Sequence, residues 1–124
     1  MKKDDLIYLA GIVDGEGCVS VTYKTKAGHE RIRLTVSNTD RNLIDWLTSR
    51  VGGTISKNQA KGNRKPAYHW EIYADKAFKV LTLLLPYLKL KKRQAELCLQ
   101  FHTDKSKRAW VTKQIRRMNK RGKR

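Results

Sequence analysis

Cysteine, proline and acidic residues are all scarce in this chain of 124 residues. The two cysteines, Cys18 and Cys98, lie far apart and have no paired spacing. That excludes a disulfide-stapled secreted scaffold and points to two reduced thiols in an intracellular protein. The histidines His29, His69 and His102 are equally scattered, so no zinc-ligand spacing is formed. No apolar run approaches the roughly 20 residues of a membrane span, and no membrane contact is expected. The N-terminal lysines lead into Asp4 and Asp5 rather than a continuous apolar core, which argues against a signal peptide. Eleven acids face 28 lysines and arginines, for a net charge of +17. A charge of that size does not choose a fold, but it predicts attraction to polyanions. Ribosomal proteins, nucleases and repressors share it. From composition alone a ribosomal protein is the leading alternative.

The length fits one domain. Residues 1–102 are expected to form it, with enough chain for one small core. Residues 103–124 read as a basic tail: ten cations and one acid supply +9 of the charge. Trp110, Val111, Ile115 and Met118 give the tail a weak helical stripe. It is either a helix laid along phosphates or a disordered basic arm.

Hydrophobic periodicity orders the rest. A helix begins after Asp4 or Asp5, either of which can cap it. Leu6, Leu9 and Val13 form one apolar stripe, while Ile7, Ala10, Gly11 and Asp14 form a second, small in the middle. Cys18 to Lys26 alternates, with Val19, Val21 and Tyr23 inward and Ser20, Thr22, Lys24 and Lys26 outward. Arg31 to Ser37 alternates again, with Ile32, Leu34 and Val36 inward and Arg31, Arg33, Thr35 and Ser37 outward. Together they predict a hairpin. Its outer positions are all hydroxyls and cations, which suits phosphates and base edges in a DNA major groove. Asp40 caps a helix over residues 41–51, carrying Leu43, Ile44 and Leu47, and Gly52-Gly53 stops it. Strands follow at 54–59 and 67–73, around a basic loop. In the second, Tyr68, Trp70 and Ile72 face inward; His69, Glu71 and Tyr73 face the cations. Asp75 caps a helix over 76–85 that Pro86 ends. A last core helix reaches His102 with Ala95, Cys98 and Leu99 inside. Four strands with helices on one face make an α+β arrangement of order αββαββα.

The stretch Leu9-Ala10-Gly11-Ile12-Val13-Asp14-Gly15-Glu16-Gly17 stands apart. Gly11 costs about 1 kcal/mol of helix propensity relative to alanine, so a glycine there suggests that another backbone comes close. Glu16 lies between two glycines at the helix C-terminus, the negative pole and a poor place for a carboxylate. A divalent cation would reverse that argument. A plain core helix with a solvated Glu16 is the alternative.

These nine residues resemble the LAGLIDADG motif of the homing endonucleases, Leu-Ala-Gly-x-x-Asp-(Ala/Gly)-(Asp/Glu)-Gly, at every fixed position. The motif occurs once, as in the single-motif, homodimeric branch. Pro86-Tyr87-Leu88-Lys89-Leu90-Lys91-Lys92-Arg93-Gln94-Ala95 is similar to that branch's second stretch, Pro-x-Leu-x-Leu-Lys-x-x-Gln-Ala. The resemblance covers about Leu6 to His102. It implies a saddle-shaped antiparallel sheet over DNA and a homodimer whose motif helices pack side by side, with Ile7, Ala10, Gly11 and Asp14 in the seam. It implies Glu16 as metal ligand, the Gly15 carbonyl as a second, and Lys91, Asn38 and Arg41 as catalytic helpers. Asn42 stands where the branch often has a second basic residue, which leaves Arg41 open to a phosphate-binding role instead. The activity implied is hydrolysis of both strands of a long pseudopalindromic DNA site, leaving short 3′ overhangs. The alternatives on the same fold are an intron-RNA-binding maturase and a catalytically inactive DNA-binding protein.

The chemistry agrees with that resemblance. Cutting a phosphodiester needs an activated water, charge neutralisation and a stabilised leaving oxygen, which two divalent metals supply. Hard oxygen ligands select Mg2+, with Mn2+ able to substitute and Ca2+ expected to support binding without cleavage. One Glu16 per chain is too little for two metals, but two on a symmetry axis suffice. The DNA-reading face is expected to include Ser20, Thr22, Lys24, Lys26, Arg31, Arg33, Thr35, Ser56, Asn58, His69 and Glu71. The host element, whether intron, intein or free-standing gene, is not encoded in these residues.

Overall fold

A computed structural model describes residues 1–23, 29–58, 62 and 65–122, without the side chains of 121 and 122. Lys24 and Lys26 therefore lie outside the described residues. The order is α1 (Lys3–Glu16), β1 (Gly17–Tyr23), β2 (Glu30–Asn38), α2 (Arg41–Val51), β3 (Thr54–Lys57), β4 (Tyr68–Tyr73), α3 (Ala74–Leu84), α4 (Lys92–Thr103) and α5 (Arg108–Gly122). Single 3-10 turns at Leu85–Tyr87 and Lys105–Lys107 flank α4. The strands form one antiparallel sheet in the order β1-β2-β4-β3. The expected αββαββα core is present, with one further helix.

The inner face of the sheet is the apolar set of the alternating strands. Val19, Val21, Ile32, Leu34, Val36, Trp70 and Ile72 are buried against Leu9 and Val13 of α1, Ile44 and Leu47 of α2, Leu81 and Leu84 of α3, and Leu97, Cys98 and Phe101 of α4. Leu97 and Phe101 are buried beyond the stripe that periodicity assigned to α4, whereas Leu99 is only half-buried. Trp70 donates its indole N–H to the Gly52 carbonyl at 2.7 Å. Gly52 and Gly53 both take the left-handed φ values, 91° and 102°, that favour glycine. A Cβ on Gly53 would fall 2.8 Å from the Trp70 indole nitrogen.

The caps differ from expectation. Asp40 does cap α2, accepting the Asn42 N–H at 2.9 Å. At α1, however, Lys2 is the N-cap and makes no side-chain bond, while Asp4 and Asp5 lie in the first turn. There they act on the helix dipole rather than on a free N–H. Asp75 likewise lies inside α3, because β4 runs straight into the helix through Ala74 at φ 50°. Its carboxylate instead meets His102 at the end of α4, at 2.8 Å.

α5 belongs to the packed body. Val111 and Ile115 are buried in the same core as the sheet. Asn119 of α5 donates to the Val19 carbonyl at 3.1 Å, so the helix covers the outer edge of β1 and satisfies part of its backbone. Tyr23, expected inward, is 54% exposed. It lies at the end of β1, where its ring meets Arg116 rather than the core. Among the described residues no helix is long and apolar enough to cross a membrane.

Candidate active site

The strongest candidate centre forms where α1 meets β1. Glu16 is the last residue of α1 and Gly17 the first of β1, with no loop between them. Gly17 allows that join, since a Cβ there would come within 2.8 Å of the Val13 backbone. Glu16 is thereby held at the helix C-terminus, exposed. Asn38, the last residue of β2, donates its side-chain N–H to Glu16 Oε2 at 2.7 Å. Its own oxygen accepts the Asp40 N–H, also at 2.7 Å. The Asn38 amide is therefore oriented by the α2 cap and in turn orients Glu16.

Asp14 turns the other way. Its carboxylate accepts the backbone N–H groups of Lys89, Leu90 and Lys91, at 2.8, 3.1 and 3.0 Å. Lys91 returns its ammonium to the Asp14 carbonyl at 3.1 Å. Lys91 is the N-cap residue of α4 and has no side-chain cap bond of its own. Asp14 instead holds the N-cap residue and the two residues before it, and places an anion near the positive end of α4. Three backbone N–H groups of its own chain thus engage the carboxylate that the sequence reading placed in a dimer seam.

At 1% exposure Ala10 belongs to the chain's own core, because the core wraps further round α1 than a single stripe. The open face of α1 is instead Ile7 and Tyr8, 46% and 56% exposed, with Gly11 and Gly15 exposed one and two turns on. A Cβ on either glycine would meet nothing within 4 Å in this chain. Their smallness is therefore not required by the chain's own packing. An open groove of about 620 Å³ runs from Ile7 and Tyr8 past Gly11 to Glu16 and Asn38.

The outer sheet face is a lattice set by the strand register. Thr22 pairs with Arg31; Ser20 with Arg33 and then Tyr73; Cys18 with Thr35, Glu71 and Thr54; Ser37 with His69 and Ser56. Asn58 is exposed just past β3. His69 is in hydrogen-bond contact with Ser37, and Tyr73 donates its hydroxyl to Glu71. Ser20 is the exception, only 8% exposed: α5 overhangs the edge of β1 and closes over it. Cys18, Ser20 and Arg33 share a groove there with Arg116, Asn119 and Lys120. Arg41 does not point at Glu16's groove. Its Nε bonds Asp45 at 2.8 Å and its guanidinium lies 5.2 Å from the Tyr68 ring centre. The Asp45 bond raises its pKa still further.

The donors at the α1 end suit a hard divalent cation. Glu16 and the exposed Gly15 offer oxygen only, which selects Mg2+ or Mn2+ over zinc. A cation there would also answer the cost of a carboxylate at a helix C-terminus. Among the described residues no group of three His, Cys, Asp or Glu is placed to hold a metal.

A family model described as LAGLIDADG endonuclease matches residues 9–105. The chain is similar to the DNA endonuclease I-CreI of Chlamydomonas reinhardtii, 28% identical over 101 residues. That alignment covers 79% of this chain and 62% of the relative, so the chain spans under two thirds of the length of the curated protein it matches. It superposes on the homing endonuclease I-CvuI in complex with the I-CreI target in 2 mM Mg, where the DNA is not cleaved. The TM-score is 0.73 with 25% identity, covering 91% of this chain and 80% of that one. It also has the fold of the archaeal intron-encoded homing endonuclease I-Vdi141I complexed with DNA, at TM-score 0.71 and 17% identity, covering 94% and 85% of the two chains.

Proposed function

The chain belongs to the LAGLIDADG endonuclease family, and from that premise we propose that two copies of it form a site-specific endonuclease of double-stranded DNA. The observation that carries this reading is Glu16: the motif acid is intact, exposed and oriented by Asn38 beside a helix face whose glycines no neighbour of its own chain fills. The dimer would bring two such acids together across the open faces of Ile7, Gly11 and Gly15. It would cut both strands of a long pseudopalindromic site, leaving short 3′ overhangs, inside the cell where its DNA lies.

Glu16 and the Gly15 carbonyl would hold Mg2+, with Mn2+ as a substitute and Ca2+ supporting binding alone. Divalent ions supply an activated water and charge neutralisation at the phosphate. The chain's own residues do the rest. Asn38 fixes the rotamer of Glu16 and presents a polar edge to solvent near it. Lys91 brings a positive charge to the same helix end, steadied by Asp14, and lowers the cost of gathering phosphate oxygens there. Arg41, engaged by Asp45, fits a phosphate contact better than a role at the reacting atoms. Thr22, Arg31, Arg33, Thr35, Ser56, Asn58, His69 and Glu71 present donors and acceptors to a major groove, which admits a two-stranded ribbon. Lys24 and Lys26 continue that pattern in sequence.

A second reading, an intron-RNA-binding maturase, is favoured by the exposed cations Lys113, Arg117 and Lys120 of α5. Selection from a randomised duplex library tests both, recovering molecules bound in Ca2+ and molecules cut in Mg2+. A pseudopalindrome in both pools is expected. A bound consensus that is never cut would leave a DNA-binding relative. No consensus, with tight salt-sensitive binding to structured RNA, would favour the maturase.

A further inference from the structure

The sheet lattice contains one arginine that is already positioned. The guanidinium carbon of Arg31 lies 3.7 Å from the centre of the Tyr73 ring. Tyr73 in turn is tied through its hydroxyl to Glu71. Arg33 pairs with Tyr73 and Thr35 with Glu71 in the strand register, so Arg31, two residues before Arg33, projects from the same outer face as Tyr73 and Glu71. Arg31 Nε, like Arg33 Nε, is buried and has no hydrogen-bond partner; the stack on Tyr73 is what sets Arg31 apart.

Those facts restrict what Arg31 can do. Guanidinium donors lie in one rigid plane. With Nε covered, the usable edge is the one that carries the two Nη groups. That edge matches the O6 and N7 acceptors of guanine in the major groove, the commonest specific arginine contact. A phosphate is a poor occupant here, since the Glu71 carboxylate is part of the cluster and repels it. The stack also removes rotamer freedom in advance, so less is lost on binding.

Building on the endonuclease reading, we propose that Arg31, stacked on Tyr73, reads a guanine in each half-site, with Tyr73 as the positioning residue. Arg33 lies across from Tyr73 but is not stacked on it, so dependence on Tyr73 separates the two arginines.

The test is binding selection in Ca2+ from a randomised duplex library, using the full chain and three variants checked for fold by circular dichroism. The wild-type consensus should contain a guanine column in each half-site preferred about tenfold or more. Arg31→Lys, which cannot make the bidentate contact, should flatten that column and no other. Tyr73→Leu should flatten the same column, while Tyr73→Phe, which keeps the stack, should retain it. The proposal is overturned if folded Arg31→Lys and Tyr73→Leu leave every column unchanged, or weaken binding equally to all sequences. A wild-type protein with no consensus at all would instead overturn the endonuclease reading on which this one rests.

Discussion

Asp14 and Lys91 are joined twice: the Asp14 carboxylate accepts the Lys91 backbone N–H, and the Asp14 carbonyl accepts the Lys91 ammonium. The two residues lie in the two stretches that carry the family resemblance. Asp14 fastens the start of α4 to the helix that ends in Glu16, and so fixes where the lysine stands relative to the acid.

Replacing Asp14 by alanine should therefore act on stability and activity together. Three backbone N–H groups lose their acceptor, at a cost of about 1–3 kcal/mol, read from urea unfolding. Cleavage should slow more than DNA binding weakens, because the sheet is untouched. Asp14→Asn keeps one acceptor and should fall between. An alanine variant with wild-type stability would show that Asp14 does not hold the start of α4.

Glu16→Gln should abolish cleavage and spare binding. The glutamine keeps an oxygen for the Asn38 N–H but loses the charge that a hard cation needs. Plasmid cleavage in Mg2+ and gel shift in Ca2+ separate the two effects. Retained cleavage would take Glu16 out of the mechanism.

Gly11→Leu should leave the fold intact and break the dimer. A Cβ added at Gly11 meets nothing within 4 Å in its own chain, so circular dichroism should be unchanged while light scattering reports half the wild-type mass. A normal dimer mass would put the seam on another face.

Cys98 predicts an alkaline effect. Burial pushes its thiol up to about 12, with a smaller contribution from Cys18, while an unfolded thiol titrates near about 8.5. The folded state thus holds the proton that the unfolded chain releases. The stability due to this thiol is complete below about pH 8.5 and is lost as pH rises toward 12, at up to about 1.4 kcal/mol per pH unit. In thermal melts the gap between wild type and Cys98→Ala should narrow across that range. A constant gap would contradict the burial argument.

Much of this architecture is written in local periodicity. Each strand and helix of the αββαββα core carries its own alternation or stripe, and residues 41–51 form the expected helix between Asp40 and Gly52. What could not be read locally depends on what packs from a distance. Ser20 alternates like a solvent-facing residue but lies under α5, which follows it by most of the chain. Ala10 sits on a second helical stripe, yet the core reaches it. Asp14 stands on the second stripe of α1, and nothing local shows that the loop before α4 folds back onto its carboxylate. The tail's stripe was legible, but nothing in it named β1 as the edge it would cover. The Arg31–Tyr73 stack joins two strands whose diagonal offset only the sheet register defines.

The loopless join at Gly17 has a last consequence. The acid proposed to cut and the strand proposed to read are successive residues of one stiff backbone, with no slack between them. In such an enzyme the offset from the recognised bases to the broken bond is a built-in ruler, not an adjustable distance. Lengthening the chain by one residue after Gly17 would turn every side chain of β1 to the opposite side of the sheet. Retargeting by substitution on the sheet leaves that ruler alone, so new sites should be cut at the old spacing.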